Sequence, residues 1–331
     1  PMPIITAPPS KSVSHRAVIA ASLAAGTSRL TGLLDSQDIS RTRDCMIAMG
    51  AAMHPQSDGS VVVSGTAGRP MGGDDDDEHS VVLDVGESGT TCRLLVAVAA
   101  AGRGHFLVRG HGRMHDRPIG ELVNALLPLG PECLYLEKSG CPPLAVVTQG
   151  LAGGTTAISL EDSSQYLSGL LLAAPMAAGP LTIEITGKKT VSWPYVAITL
   201  STLADFGVPF AVQTRQGDAW VEADWRAITD VVPGQIRFAM QPVRYVPREY
   251  AVEADWSSAS YFLAAGAVGP APVTVAGLRQ DSLQGDRAIR DILARMGARI
   301  EETAEGLTVY PSDLHGQELD MGRCPDLVPT V

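Results

Sequence analysis

The sequence predicts an α/β fold assembled from small repeated units, and three recurring features predict it. Four stretches open with small hydroxyl residues and run on as Leu/Ala-rich helices: Ser14-His15-Arg16, Ser88-Gly89-Thr90-Thr91, Ser163-Ser164-Gln165 and Ser257-Ser258-Ala259-Ser260. Each helix stops at a glycine (Gly26, Gly102, Gly179, Gly269), and the short strand that follows ends on another (Gly32, Gly110, Gly187, Gly277). A second helix comes next, clearest at Ile119, Leu122, Val123 and Leu126 and at Ile289, Ile292, Leu293 and Met296. Both sets have the i, i+3, i+4, i+7 spacing of a one-faced helix. Each unit closes on an apolar residue and a glycine: Met49-Gly50, Leu129-Gly130, Phe206-Gly207 and Met296-Gly297. These closing glycines lie roughly 80 residues apart, beyond the ~20 to 50 of solenoid repeats, so the repeats are small α/β units.

Composition narrows the class. A chain of 331 residues exceeds the size at which single cores stop growing, so two domains are expected. Its 45% hydrophobic and 18% charged residues provide ample core. The net charge of −11 speaks against nucleic acid or an anionic membrane as partner, since both need a basic face. The cysteines, Cys45, Cys92, Cys133, Cys141 and Cys324, are odd in number without CxxC spacing, which predicts reduced thiols in a cytoplasmic protein and no zinc site. The opening Pro1-Met2-Pro3-Ile4-Ile5 has no signal-peptide pattern, and the most apolar segment, Tyr166 to Leu181, is interrupted by Pro175 and too short to span a bilayer. The run Gly72-Gly73-Asp74-Asp75-Asp76-Asp77-Glu78 reads as a solvated loop, with cation binding the alternative.

Chemistry is expected where cations flank the helix openers. A helix start has unpaired N–H groups and partial positive charge, so it can cap itself or receive an anion. In Pro8-Pro9-Ser10-Lys11-Ser12-Val13-Ser14-His15-Arg16, Lys11 and Arg16 flank two hydroxyls, which suits a phosphate. In Gly86-Glu87-Ser88-Gly89-Thr90-Thr91-Cys92-Arg93, Gly89 has no side chain to keep a ligand from the backbone. Arg113 and Arg117, in Arg113-Met114-His115-Asp116-Arg117-Pro118, repel one another unless an anion lies near, or Arg117 pairs with Asp116 or Glu121. The hydroxyls, amide and phenol of Ser163-Ser164-Gln165 and Ser192-Trp193-Pro194-Tyr195 suit a polyhydroxylated phosphorylated ring, although Tyr195 could equally be a core residue.

Together with Asp255-Trp256-Ser257-Ser258-Ala259-Ser260-Tyr261-Phe262, Gln284-Gly285-Asp286 and Pro325-Asp326, these motifs fall in an order that resembles the 5-enolpyruvylshikimate-3-phosphate synthases over essentially the whole chain. The resemblance implies transfer of the enolpyruvyl group of phosphoenolpyruvate to the 5-hydroxyl of shikimate 3-phosphate, with release of phosphate and without metal or organic cofactor. It implies a two-domain enolpyruvyl transferase fold of βαβαββ units, an inside-out α/β barrel. Residues 1–9 with 241–331 would form one domain, and residues 10–240 an inserted second domain of three units. A cytoplasmic monomer is expected, with no nucleic-acid or membrane partner.

The resemblance also assigns residues. Lys11, Ser12, Arg16, Ser163, Ser164, Gln165, Ser192, Tyr195 and Asp326 would contact shikimate 3-phosphate, and Lys11, Gly89, Arg113 and Gln165 would contact phosphoenolpyruvate. Asp326 would take the proton from the attacking hydroxyl, with Lys11 shared between both substrates. Six units are implied where four are legible, so the C-terminal part is expected to be missing, along with Lys-Glu, arginine, His-Arg and lysine motifs that would follow Asp326. Glu87 stands where asparagine is usual, and is expected to point away or to pair with Lys11 or Arg113. That loop bears on glyphosate, which in the family competes for the phosphoenolpyruvate site. Two alternatives remain: the related transferase acting on UDP-N-acetylglucosamine, disfavoured by Ser10-Lys11-Ser12 and Arg16, and a non-catalytic fragment that binds shikimate 3-phosphate.

Overall fold

A computed structural model describes residues 4–74 and 79–331, so the acidic run falls largely outside the described residues. The elements in chain order are β1 (Ile4–Thr6), α1 (Lys11–Leu23), β2 (Thr27–Thr31), α2 (Gln37–Ala48), β3 (Ala52–Pro55) and β4 (Val61–Ser64). They continue with β5 (Val81–Gly86), α3 (Gly89–Ala100), β6 (Gly104–Gly110), α4 (Gly120–Leu126), β7 (Glu132–Tyr135) and β8 (Leu144–Thr148). Next come β9 (Gly154–Ser159), α5 (Gln165–Ala173), β10 (Leu181–Thr186), α6 (Trp193–Asp205), β11 (Phe210–Gln216), β12 (Ala219–Glu222) and β13 (Ile236–Met240). The chain ends through β14 (Glu249–Ala251), α7 (Trp256–Val268), β15 (Val273–Ala276), α8 (Ile289–Arg295), β16 (Arg299–Thr303) and β17 (Gly306–Tyr310).

These strands form four separate sheets, ordered β14-β2-β4-β3, β5-β6-β8-β7, β9-β10-β13-β11-β12 and β1-β15-β17-β16. In each, the first two strands are parallel and the rest antiparallel, the pattern of a βαβαββ unit. The closing glycines Gly50, Gly130, Gly207 and Gly297 all have positive φ, which ends the second helix of each unit in a left-handed turn that residues with a Cβ resist. The third sheet has an additional strand.

Helices lie inside and sheets outside. Every residue of α1 from Val13 to Leu23 is buried, as is every residue of α5 from Tyr166 to Ala173, whereas β2 alternates exposed and buried. A helix apolar all round belongs at a centre, and a strand alternating with period two has one face in water. Gly169 lets α5 approach α3 closely, because a Cβ there would stand 2.5 Å from the Arg93 carbonyl oxygen. Among the described residues no helix is long and apolar enough to cross a membrane.

Two hydrophobic clusters divide the chain. The larger runs from Ala17 to Tyr245, with Tyr250 and Val252 packed against it. The smaller joins Ala7 to residues from Trp256 to Leu327. The sheets exchange their first strands between these bodies. β1 leaves the chain's start to pair with β15, and β14, after the third unit, returns to pair with β2. Between Val252, packed against the larger cluster, and Trp256, buried in the smaller, the chain passes from one to the other. Residues 241–252 stay with the larger body because β14 completes its first sheet and the Tyr245 hydroxyl, buried there, donates to the Leu172 carbonyl at 2.7 Å.

Candidate active site

Where the chain crosses between bodies, its two connections lie side by side. The Ser10 N–H donates to the Glu253 carbonyl at 2.8 Å, and the Asp255 N–H to the Pro8 carbonyl at 2.7 Å. Asp255 then ties together two helix starts: Oδ1 caps α7 by accepting from the Ser258 N–H at 2.7 Å, and Oδ2 accepts from the Lys11 N–H at 3.3 Å. A carboxylate is favoured there because both helix dipoles present their positive ends.

Beside this junction lies a cavity of ≈ 440 Å³, lined among others by Lys11, Ser12, Tyr195, Asp255, Asp286 and Asp326. The Tyr195 hydroxyl donates to Asp326 Oδ2 at 2.5 Å. Burial, then Asp286 and Asp326, push this phenol far above its usual range, so it remains a donor. Burial, followed by Asp326 and Asp255, also pushes the Asp286 carboxyl up to about 7. Lys11 Nζ lies 3.7 Å from Asp38 Oδ2, with both side chains substantially exposed, a pair weak enough for a ligand to displace. Ser192 starts α6 with φ +55 and donates its N–H to the Gly322 carbonyl at 3.2 Å, another link between the bodies.

Arg16 is placed differently from a simple surface ligand. It is 1% exposed and donates to Thr199 Oγ1 at 2.7 Å, Ser168 Oγ at 3.2 Å, and the carbonyls of Ser12 (2.8 Å) and Tyr195 (3.0 Å). Its guanidinium, held down to about 10 by burial, fixes the backbone under two cavity residues; these four bonds leave one of its five N–H donors, on Nη1, uncommitted.

A second group of polar residues gathers where α3 and α5 begin. Ser88 Oγ caps α3 by accepting from the Thr91 N–H at 3.2 Å. A Cβ on Gly89 would stand 2.5 Å from Arg117 Nη1 and 3.7 Å from Arg93 Nη1, so two guanidinium groups crowd this bare backbone. Gln165 bridges the helices, accepting from Arg93 Nη1 at 3.0 Å and donating to Thr90 Oγ1 at 3.0 Å. The buried Ser163 in turn accepts from the Gln165 N–H at 3.2 Å, with Ser164 buried beside it. Arg117, rather than Arg113, is the arginine resting on Gly89. Arg113 lies on the short turn Gly112–Asp116 that Arg117 closes, and both arginines are exposed. The alternative partner Asp116 is taken by Lys138 Nζ at 2.7 Å. Glu87 turns toward that same loop, since a Cβ on Gly112 would lie 2.6 Å from its Oε1; Lys11 pairs with Asp38 instead.

Buried hydroxyls fix the two groups relative to each other. His15 Nδ1 meets Thr42 Oγ1 at 2.7 Å, Thr42 meets Thr91 Oγ1 at 2.8 Å, and Thr91 donates to Ser88 Oγ at 2.8 Å. Burial, then Arg16 and Lys11, push the His15 imidazole down to about 3, so it is neutral at ordinary pH. The roles of Asp255, Asp286 and Arg93 escaped the sequence, and Arg117 was legible only as one of two arginines near an anion. The first two lie in recognisable motifs, but only the fold brings their carboxylates to one cavity.

Cationic helix starts opening on a polar cleft, carried by repeated βαβαββ units in two bodies, define the class: a transferase that handles small anionic metabolites. A family model described as EPSP synthase (3-phosphoshikimate 1-carboxyvinyltransferase) matches residues 3–331, and the chain belongs to that family. It is similar to the 3-phosphoshikimate 1-carboxyvinyltransferases of Marinomonas sp. (strain MWYL1), 38% identical over 327 residues, and of Methanosphaerula palustris, 40% identical over 329. These alignments cover 99% and 98% of this chain and 71% of each relative. A solved EPSP synthase from Acinetobacter baumannii shares the fold with TM-score 0.72 and 21% identity, covering 99% of this chain and 71% of that one. The family's reaction is enolpyruvyl transfer to shikimate 3-phosphate in aromatic amino-acid biosynthesis.

Proposed function

We propose that the cleft between the two bodies holds shikimate 3-phosphate against Lys11, Ser12, Ser163, Ser164, Gln165, Ser192 and Tyr195, and phosphoenolpyruvate against Gly89, Arg117, Gln165 and Lys11. The observation that carries this reading is the crowding of Arg117 and Arg93 onto Gly89, bridged by Gln165 to the serines at the start of α5. Bare N–H groups and guanidinium forks together suit a phosphate or carboxylate. Arg16 supports the site from below through Ser12 and Tyr195.

Asp326 is the proposed general base. Its Oδ2 is held by the Tyr195 hydroxyl, which orients the carboxylate while leaving lone pairs for the substrate's 5-hydroxyl. Abstraction of that proton accompanies attack of the oxygen on the enol-ether carbon, whose methylene is protonated by a general acid. Loss of phosphate and of a methyl proton then restores the double bond. The two bodies, residues 10–252 and residues 4–7 with 255–331, are the proposed domains, and the crossings beside Asp255 the hinge between them. The free cysteines suit a reducing compartment such as the cytoplasm.

Calorimetric titration with shikimate 3-phosphate tests the reading. Binding should weaken at least tenfold in Ser163→Ala, which removes an oxygen from the proposed site. Unchanged affinity would remove α5 from the substrate site.

A further inference from the structure

Asp286 is 5% exposed, lines the same cavity as Asp326 and Tyr195, and has one carboxyl oxygen, Oδ1, without a hydrogen-bond partner among the described residues. An ionised carboxylate in such a place would be desolvated, with Oδ1 unpaired and two like charges facing it, against a single hydrogen bond with Ser257 in its favour. Its surroundings are Asp326 and Cys324 from the C-terminal segment, Asp255 and Ser257 from the start of α7, and Tyr195 from α6. Lys11 opens onto the same cavity but pairs with Asp38. On its own turn, Arg287 donates away to the Gln280 carbonyl. The Arg323 carbonyl lies close to Gly285, and its guanidinium bears on the neighbouring Cys324.

We propose that Asp286 is a positioning residue for proton transfer at Asp326: it keeps its own proton while Asp326 is ionised, so that Asp326 alone carries the negative charge of the base. This rests on the reading of Asp326 as general base. In the balanced reaction the O–H bond of the 5-hydroxyl breaks, its proton passes to Asp326, and its electron pair forms the new C–O bond to the enolpyruvyl carbon. The phosphate leaves with the electrons of its own C–O bond and the equivalent of that proton. Asp286 gains and loses nothing across the cycle. Its neutral state removes a second anion that would repel the substrate and disturb the basicity of Asp326. Burial and the neighbouring carboxylates, which push Asp286 up to about 7, agree with this state.

The test is an infrared pH-difference titration of the substrate-free protein from about pH 5 to about pH 9, a range in which ordinary carboxyls are already ionised. Apart from any component from Asp205 and Glu253, whose carboxyls burial also raises, the wild type should show a protonated-carboxyl band that disappears near neutrality. The band should be absent in Asp286→Asn and should shift by at least about one pH unit to the acid side in Asp326→Asn, where the neighbouring charge is gone. A band that persists in Asp286→Asn, or that stays in place in Asp326→Asn, overturns the proposal and leaves Asp326 as base untouched. Carbon NMR of aspartate-labelled wild type reads the same group without any substitution, and absence of a near-neutral transition would also overturn it. Separately, an Asp326→Asn enzyme that keeps its kcat within about twofold, against the ~100-fold or greater loss expected for a general base, sinks the base and the proposal with it.

Discussion

The Tyr195 hydroxyl on α6 reaches Asp326 Oδ2 at 2.5 Å, and this single hydrogen bond joins the larger body to the smaller inside the cavity. It couples the orientation of the proposed base to the relative placement of the two bodies. Tyr195→Phe removes the bond while keeping the ring. A hydrogen bond to a charged group is worth about 1.5–3 kcal/mol, so affinity for shikimate 3-phosphate should fall by about tenfold or more. Calorimetry of the folded variant measures it, and an unchanged dissociation constant would remove Tyr195 from the site.

Arg117 and Arg113 separate cleanly by experiment. Loss of a charge-assisted contact of about 2–3 kcal/mol corresponds to roughly 30- to 100-fold in affinity, and Arg117→Ala should lose that much for phosphoenolpyruvate. Arg113→Ala, on its exposed turn, should show a far smaller loss. Equal effects in a side-by-side titration would put both arginines on the ligand.

Gly89→Ala distinguishes a ligand cradle from a packing constraint. The new Cβ would meet the far end of Arg117, a flexible side chain that can swing away, and alanine suits a helix better than glycine. The melting temperature should therefore hold or rise slightly. Phosphoenolpyruvate affinity should drop by about tenfold or more, because the displaced guanidinium is a proposed ligand.

Two buried groups give opposite acid responses. Asp286 is raised to about 7, so between the unfolded carboxyl range and neutrality the folded state holds a proton that the unfolded state lacks, and stability falls as pH rises. His15 is lowered to about 3, so between pH 3 and 6.5 the unfolded state holds the extra proton and stability rises with pH. Each contributes a slope of about 1.4 kcal/mol per pH unit, and the two cancel in the overlap, roughly pH 4 to 6.5. Denaturant unfolding of Asp286→Asn should expose the His15 slope, with stability decreasing on acidification through that window. The same slope in wild type and variant would show that Asp286 is not raised.

The repeat was legible in sequence because glycine punctuation and apolar periodicity are local. Gly50, Gly130, Gly207 and Gly297 all end their helices with the expected left-handed turn. The helix starts were legible to within a turn: Ser88 caps α3 as its opener implies, whereas Ser14-His15-Arg16 lies inside α1, which Ser10 caps, and Asp255 caps α7 just before its serines. Arg117 could not be told from Arg113, because the choice depends on which of two residues four apart meets a helix from another part of the chain. The strand Glu249–Ala251 was hidden for a similar reason: it is only three residues long, and its pairing with β2 leaves no periodic signature. Asp286 lay within a recognised motif, yet its protonation depends on Asp255 and Asp326, which are distant in sequence.

The exchange of β1 and β14 between sheets also governs the order in which this polypeptide can mature during synthesis. The strand Ile4–Thr6 has no parallel edge to join until Val273–Ala276 has been made, and the first unit's sheet stays open until Glu249–Ala251 arrives. The second and third units, which borrow no strand, can consolidate early on the ribosome. Each of these two sheets therefore closes only after a strand from far along the chain is made, and the paired connections beside Asp255 mark where both exchanges begin.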